Sequence, residues 1–297
     1  MAIFKTVAEL VELAERENKK MAQIMIEQEV QISGKSKQDI MDNMAKAYRV
    51  MEKAVQRGIN ENIKSHSSLT GGDAKKLHRY IQQGNVLSGI HVLEAVMGAM
   101  ATNEVNAAMG TICATPTAGS AGIVPGCLFA MAEKLQPSYE DKLYFLFTAG
   151  AIGYVIANNA FIAGATGGCQ AETGSATAMA AAAIVEMAGG TPRQSAHALS
   201  IALQNMLGLV CDPVAGLVEV PCVKRNAIGA SIAMVAADMA LAGIEFIIPA
   251  DEVIEAMYRI GKSMPHALKE TALGGLAATP TGKALERKIF GVELVKE

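Results

Sequence analysis

Three of the five cysteines occur where the composition is unusual for a protein core. Cys169, Cys211 and Cys222 lie in two segments rich in Gly, Pro and small polar residues, 164–175 and 210–226. Thiolates bind soft metals, and glycine lets the backbone approach a bound group closely. These three residues are therefore candidate metal ligands, although tight connections between helices would have a similar composition.

The remaining cysteines, Cys113 and Cys127, lie in apolar sequence typical of helices. We interpret them as small buried core residues, because free cysteine packs as a hydrophobe. An odd number of cysteines in a chain of 297 residues also argues against a disulfide framework.

Three thiolates favour some metal groups over others. A structural zinc site needs four ligands, usually with paired C-x2-C spacing, and neither condition is met. An iron-sulfur cluster normally has four cysteine ligands, so three would leave one iron open to water or substrate. Such an iron is a Lewis acid that makes hydroxide a better leaving group, as a dehydration requires. The spacing of the cysteines is not diagnostic by itself.

A third loop-like segment, 114–126, has the sequence ATPTAGSAGIVPG. Its hydroxyl residues Thr115, Thr117 and Ser120, together with the backbone amides around them, could fix a substrate carboxylate. They are candidate substrate-binding residues.

The segment SHSSLTGG contains His66, Ser67 and Ser68. His66 is the best candidate in this chain for a general base, because histidine exchanges protons near neutral pH. A solvated loop histidine is the alternative.

Polar residues beside the cysteines could support bound ligands. Arg225 and Asn226, shortly after the third cysteine, could donate hydrogen bonds to a cluster sulfide or to a substrate carboxylate. Arg225 could also be an ordinary charge at a helix start. Glu172, close to the first cysteine, could accept hydrogen bonds behind the ligands or begin a helix. Asp212 is expected to form an Asx-type turn with the proline that follows it.

The composition predicts that helices position these groups. Apolar residues make up 51% of the chain and aromatic residues only 4%, with 28 Gly and 17 Met. This composition favours close-packed helices, so the predicted fold class is all-α, with the candidate metal ligands on inter-helix loops. We expect one domain over 1–297, in which charged N-terminal helices within about 1–80 pack on an apolar core.

Local signals place several elements. Ser36 predicts the start of a helix that Gly58 ends, and Thr191 predicts a helix that runs to about Met206. A further helix is predicted from Asp251 to Gly261. Alternating apolar residues give two short strand candidates at 29–33 and 244–248.

Charge patterning excludes some partners. The net charge is −3 with no dense basic stripe, which argues against nucleic acid. The uncharged run 143–165 is long enough for a bilayer, but no Lys/Arg cluster flanks it, so we favour a buried central helix and no membrane association. The N-terminal sequence lacks the pattern of a secretory signal, which predicts a cytoplasmic protein.

The sequences GCQAETGSA, CDPVAGLVEVPCVKRN and TPTAGSAGIVPG closely resemble the iron-sulfur-dependent L-serine dehydratases, specifically the α chain of the two-subunit bacterial form. The resemblance covers nearly the whole chain. It implies an all-helical catalytic domain in which Cys169, Cys211 and Cys222 hold a [4Fe-4S] cluster. It also implies conversion of L-serine to pyruvate and ammonia, and a separate β chain that completes the active site.

Three further expectations come with the resemblance. Ser67 and Ser68 resemble a second small-hydroxyl loop of the family, which makes them candidate substrate-binding residues. Some single-chain relatives end in a cysteine that caps the open iron, whereas this sequence ends GVELVKE, so such capping is not expected here. An exposed iron also predicts oxygen sensitivity.

Other functions remain open on the sequence. A pyridoxal phosphate enzyme is disfavoured because no lysine lies between Lys142 and Lys224, where the glycine-rich segments are. A cluster-dependent cysteine desulfidase is an alternative enzyme. A non-catalytic scaffold or binding subunit with incidental cysteines is an alternative of another class.

Overall fold

The computed structural model describes residues 3–291, and within that range the chain is all-α, as predicted, with no strand. The α-helices of this range are α1 Val7–Glu17, α2 Met21–Ser33, α3 Lys37–Asn60, α4 Asp73–Gln82, α5 Ile90–Ala107, α6 Ile123–Leu135, α7 Tyr139–Asn159, α8 Gly164–Gly167, α9 Ser175–Met187, α10 Pro192–Gln204, α11 Cys222–Leu241, α12 Ala250–Ser263 and α13 Pro280–Phe290. The predictions that concern residues 1, 2 and 292–297, including the absence of a capping C-terminus, lie outside the described residues.

Helix starts with local capping signals are confirmed. The Thr191 hydroxyl accepts a hydrogen bond from the backbone N–H of Gln194 at 3.1 Å, and the Gln194 side chain accepts one from the backbone N–H of Thr191 at 2.9 Å. The Ser36 hydroxyl caps α3 by accepting a hydrogen bond from the backbone N–H of Asp39 at 3.1 Å.

The predicted end at Gly58 is wrong, because α3 continues to Asn60. A side chain at Gly58 would lie 2.4 Å from the backbone oxygen of Ala101. Gly58 therefore permits close helix packing and does not end the helix.

The two strand predictions are wrong. Residues 29–33 form the last turns of α2, and 244–248 are irregular. Alternation over five residues is too short to distinguish a strand from an amphipathic helix end or a loop. The predicted helix from Asp251 to Gly261 is longer than expected, because α12 begins at Ala250 and continues past Gly261 to Ser263.

Helices α7 and α9 form the centre of the core. Every residue of α9 from Ser175 to Glu186 is buried, and half of them are alanine, which lets neighbouring helices approach closely. Cys127 is fully buried in α6, whereas Cys113 lies outside any helix and is half-buried. The prediction that Cys113 lies in a helix is therefore wrong.

The described residues contain no helix with the length and apolarity needed to cross a membrane. The apolar run that begins at Leu143 belongs mainly to α7, and its side chains from Leu143 to Ala149 are buried against other helices.

Three N-terminal helices begin on carboxylates from distant parts of the chain. Asp251 accepts hydrogen bonds from the first two backbone amides of α1 at 2.8 and 3.0 Å. Glu186 accepts them from Met21 and Ala22 at the start of α2, at 2.6 and 3.3 Å. Glu104 does the same for α4, at 2.7 and 3.3 Å. Each carboxylate satisfies amides that have no partner within their own helix.

Replacing Glu186 by alanine is expected to lower the free energy of unfolding by about 2–4 kcal/mol, because two buried amides and the Thr148 hydroxyl lose their acceptor. Urea unfolding followed by circular dichroism measures the change. The matched control is Glu12→Ala on the exposed side of α1, which we expect to stay within about 0.5 kcal/mol of the original protein. Equal effects of the two substitutions would contradict this account of Glu186.

Candidate active site

Two of the predicted cysteine ligands come together at the centre of the candidate site. Cys169 directly precedes a π-helical turn, Gln170–Gly174, that continues into α9. Cys211 lies in an irregular segment. The two sulfur atoms and a carboxylate oxygen of Glu172 all lie within 4.8 Å of one another. Single π-helical turns inside α-helices are frequent at functional sites.

The third cysteine is a close neighbour of this group but not a member of it. Cys222 is buried and forms the first residue of α11, so it is not on an inter-helix loop as predicted. Burial raises the pKa of the Cys222 thiol, and the neighbouring Cys169 and Glu172 raise it further. Cys222 is therefore near enough to the group to interact with it electrostatically.

The two central cysteines are electrostatically unequal. The hydrogen bond from the Cys211 thiol lowers the pKa of Cys169, and the nearby Arg225 guanidinium lowers it further, although burial opposes both. The same hydrogen bond raises the pKa of Cys211, and burial adds to that effect. The surroundings therefore favour the thiolate form of Cys169 over that of Cys211.

Arg225 connects the cysteines to the surrounding loops. One of its terminal nitrogens, Nη1, lies 2.7 Å from Asp212 Oδ1, 2.8 Å from the backbone oxygen of Val210 and 3.5 Å from Cys169 Sγ. Its side chain is 16% exposed and that of Asp212 is 3% exposed. Arg225 is therefore not an ordinary surface charge at a helix start.

The expected Asx turn at Asp212 is wrong. Its carboxylate faces Arg225 and accepts a hydrogen bond from the backbone N–H of Leu276 at 2.7 Å. The side chain is thus engaged by residues distant in sequence, which no local turn signal reveals.

Glu172 lies against the segment 114–126. The Thr117 hydroxyl donates a short hydrogen bond to Glu172 Oε1. A side chain at Gly119 would come within 2.5 Å of the same oxygen, so glycine leaves space for the carboxylate. Burial raises the pKa of Glu172, while the hydrogen bond from Thr117 opposes the shift.

The other predicted residues of this segment hold its shape. The Ser120 hydroxyl donates to the Thr115 backbone oxygen at 3.0 Å. The fully buried Asn226 side chain donates to the Gly119 oxygen at 2.7 Å and accepts from the Gly122 amide at 3.2 Å. Asn226 therefore joins α11 to the segment 114–126. Substrate contacts by Thr115, Ser120 and Asn226 stay predictions.

His66, Ser67 and Ser68 line a separate cavity of about 1060 Å³, whose wall also includes Ala118 and part of α13. Ser67 donates a hydrogen bond to the buried Glu219 at 2.7 Å. Within residues 3–291, none of the three makes a hydrogen bond to a cysteine of the site. Their predicted roles in catalysis and substrate binding stay predictions. Ala118 of the cavity wall directly follows Thr117, which contacts Glu172 of the cysteine site.

Sequence reasoning missed Glu270. The backbone oxygen of Cys211 accepts a hydrogen bond from the Glu270 amide at 2.8 Å, and the Cys211 amide donates to Leu268 at 2.9 Å. A side-chain carbon at Gly164 would lie 2.8 Å from Cys211 Sγ and 3.3 Å from a carboxylate oxygen of both Glu172 and Glu270. All three groups therefore converge on the space that Gly164 leaves free. The only available signal was an acidic residue in a glycine-rich stretch, which does not indicate a partner.

Comparison with known proteins identifies the family. Residues 16–277 match the model of the serine dehydratase alpha chain family. The chain is 65% identical to "Probable L-serine dehydratase, alpha chain" of Bacillus subtilis, over 97% of this chain and 96% of that protein. It is 42% identical to the L-serine dehydratase alpha chain of Peptoniphilus asaccharolyticus, over 96% and 98% of the two chains.

A longer relative has the same similarity over part of its length. The chain is 38% identical to L-serine dehydratase 1 of Escherichia coli, over 92% of this chain but only 61% of that protein. Because the family model covers most of the chain and the relatives match it nearly end to end, the chain belongs to the serine dehydratase alpha chain family.

Proposed function

We propose that this chain is the α subunit of an L-serine dehydratase, a lyase that converts L-serine to pyruvate and ammonia with a [4Fe-4S] cluster bound by Cys169, Cys211 and Cys222. The observation that carries the proposal is the convergence of the buried Cys169 and Cys211 sulfurs with Glu172 and Arg225, with Cys222 as their neighbour. The names of the relatives support the substrate.

The residues present fit such a cluster. Sulfur dominates the donor set, and soft thiolates suit iron-sulfur clusters. Arg225 faces Cys169 as a hydrogen-bond donor to sulfur, a contact that tunes such clusters. Gly164 leaves free the space beside the Cys211 sulfur that a side chain would fill. When bound through three cysteines, the cluster would supply an open iron that acts as a Lewis acid on the leaving hydroxyl group.

The reaction removes one proton from Cα of serine and hydroxide from Cβ, which together leave as water. The resulting aminoacrylate tautomerises to an imine, and water hydrolyses the imine to pyruvate and ammonia. In this chain, Thr117 holds Glu172 against the segment 114–126, whose amides and hydroxyls would orient the substrate carboxylate. His66 stays the candidate base for the Cα proton.

A separate β chain is part of the proposal. The family name describes an α chain, and the Escherichia coli relative has a substantial further portion that this chain does not match. A partner protein that corresponds to this portion would complete the active site.

The test begins with iron and acid-labile sulfide after anaerobic reconstitution. We expect about four of each per chain, followed by pyruvate formation from L-serine when the partner is added. Sulfide release from L-cysteine that exceeds pyruvate formation from L-serine would favour a desulfidase. Absence of both iron and sulfide in the reconstituted complex would contradict the cluster and favour a scaffold subunit. Loss of activity in air, with loss of iron, is the expected sign of oxygen sensitivity.

A further inference from the structure

The carboxylate of Glu270 faces the site without a protein partner. Within residues 3–291 it forms no hydrogen bond and no ion pair, although the side chain is half-buried. Its Oε2 atom and Glu172 Oε2 each lie 3.3 Å from the point where a Gly164 side chain would begin, so the two oxygens are no further apart than twice that distance. A partly buried carboxylate without a donor is costly unless a ligand supplies one.

The backbone fixes the position of Glu270. Its amide donates a hydrogen bond to the backbone oxygen of Cys211. Its φ of 63° is in the left-handed region, which is uncommon for a residue other than glycine. Uncommon backbone conformations of this kind concentrate at functional sites. The backbone of Glu270 is therefore held beside Cys211, which is a predicted cluster ligand.

The charges around Glu270 indicate the class of ligand that it would accept. Glu172 supplies a second carboxylate, and the Cys211 sulfur lies beside the same space. The one guanidinium at the site, Arg225, is already engaged by Asp212, the Val210 oxygen and Cys169. The space beside Glu270 thus offers acceptors, and a small cation with several N–H donors complements it.

We infer that Glu270 accepts the α-ammonium group of the amino-acid substrate and makes the site selective for 2-amino-3-hydroxy acids over 3-hydroxy acids. This inference rests on the proposed function. In serine the ammonium and the hydroxyl group are on adjacent carbons, so the acceptor of the ammonium must lie beside the place where hydroxide leaves. Glu270 satisfies this condition through its position beside Cys211.

The kinetic test uses Glu270→Gln in the reconstituted complex with its partner. The amide keeps the shape but not the charge, so the KM for L-serine is expected to rise on the order of 10- to 100-fold. We expect kcat to change less than about threefold, because a contact made equally in ground state and transition state affects KM alone. The inhibition constant of 3-hydroxypropionate, which lacks the ammonium group, is expected to stay constant. Glu270→Asp should give a smaller rise in KM than the amide.

A binding experiment gives a readout that needs no turnover. Calorimetry compares L-alanine, which has the ammonium and carboxylate groups, with propionate, which lacks the ammonium. The original protein should bind L-alanine on the order of 10-fold or more tightly than propionate, and Glu270→Gln should remove most of this difference. The matched control is Glu133→Gln, an exposed carboxylate in the last turn of α6, which should preserve it.

Three results would overturn the inference: no change in any constant, an equal weakening of L-serine and 3-hydroxypropionate, or a large fall in kcat with KM unchanged. The last would indicate a role in proton transfer. Absence of serine turnover or of a cluster in the original complex would instead contradict the proposed function. In that case the comparison of L-alanine with propionate still decides whether Glu270 binds an ammonium group.

Discussion

Replacement of Cys169 by serine is expected to abolish both cluster retention and serine turnover. Cys169 Sγ receives the hydrogen bond from Cys211 and lies 3.5 Å from the Arg225 guanidinium, so it is the sulfur on which the other groups of the site converge. A serine hydroxyl is a harder and much less acidic ligand than a thiol. After anaerobic reconstitution, we expect iron, sulfide and pyruvate formation all to fall to background.

Cys113→Ser is the matched control. Cys113 is half-buried and does not belong to the group of Cys169, Cys211 and Glu172, so its replacement should leave iron content and activity near those of the original protein. Full activity of Cys169→Ser, or loss of the cluster in both variants, would contradict the ligand assignment. Circular dichroism verifies that both variants are folded.

Replacement of Arg225 by alanine is expected to have the next largest effect. It leaves the carboxylate of Asp212, which is 3% exposed, without its cation. Removal of one partner from a buried ion pair typically costs about 3–5 kcal/mol of unfolding free energy. We expect a loss of this size in chemical denaturation of the protein before reconstitution, because the ion pair does not require the cluster. Iron retention should also fall, since Cys169 loses a hydrogen-bond donor.

Two controls separate charge from geometry. Arg225→Lys keeps the charge but not the planar guanidinium, so it should restore part of the stability and less of the iron retention. Arg259→Ala removes an exposed arginine that pairs with Glu255 on the surface, and we expect a change within about 0.5 kcal/mol. An Arg225→Ala protein as stable as Arg259→Ala would contradict the importance of the buried pair.

The helix starts that were predicted correctly have a local cause. The start of α10 depends on Thr191 and Gln194, which are three residues apart, and their hydrogen bonds require nothing from the rest of the chain. Arg225 was a candidate because it follows Cys222 by only three residues in the sequence. The all-α class followed from composition, which is a property of the whole chain.

The missed features depend on contacts between distant residues. Glu270 reaches the site because its backbone pairs with Cys211, and Asp212 is held by Leu276 and Arg225. Gly58 is typical of a helix end, but it lies inside α3, where the close approach of Ala101 leaves no space for a side chain. Such contacts are formed only in the folded chain, and no spacing in the sequence indicates them.

The three distant carboxylates that start α1, α2 and α4 also limit how the chain can be divided. If the N-terminal helices were removed, Glu186 and Glu104 would stay buried in the remaining helices but would lose their amide donors. Conversely, each of the isolated N-terminal helices would lose the carboxylate that accepts hydrogen bonds from its first two amides. We therefore expect fragments that end after α4 or begin at α5 to be insoluble or unfolded when expressed alone. They should regain structure only when the two pieces are produced together.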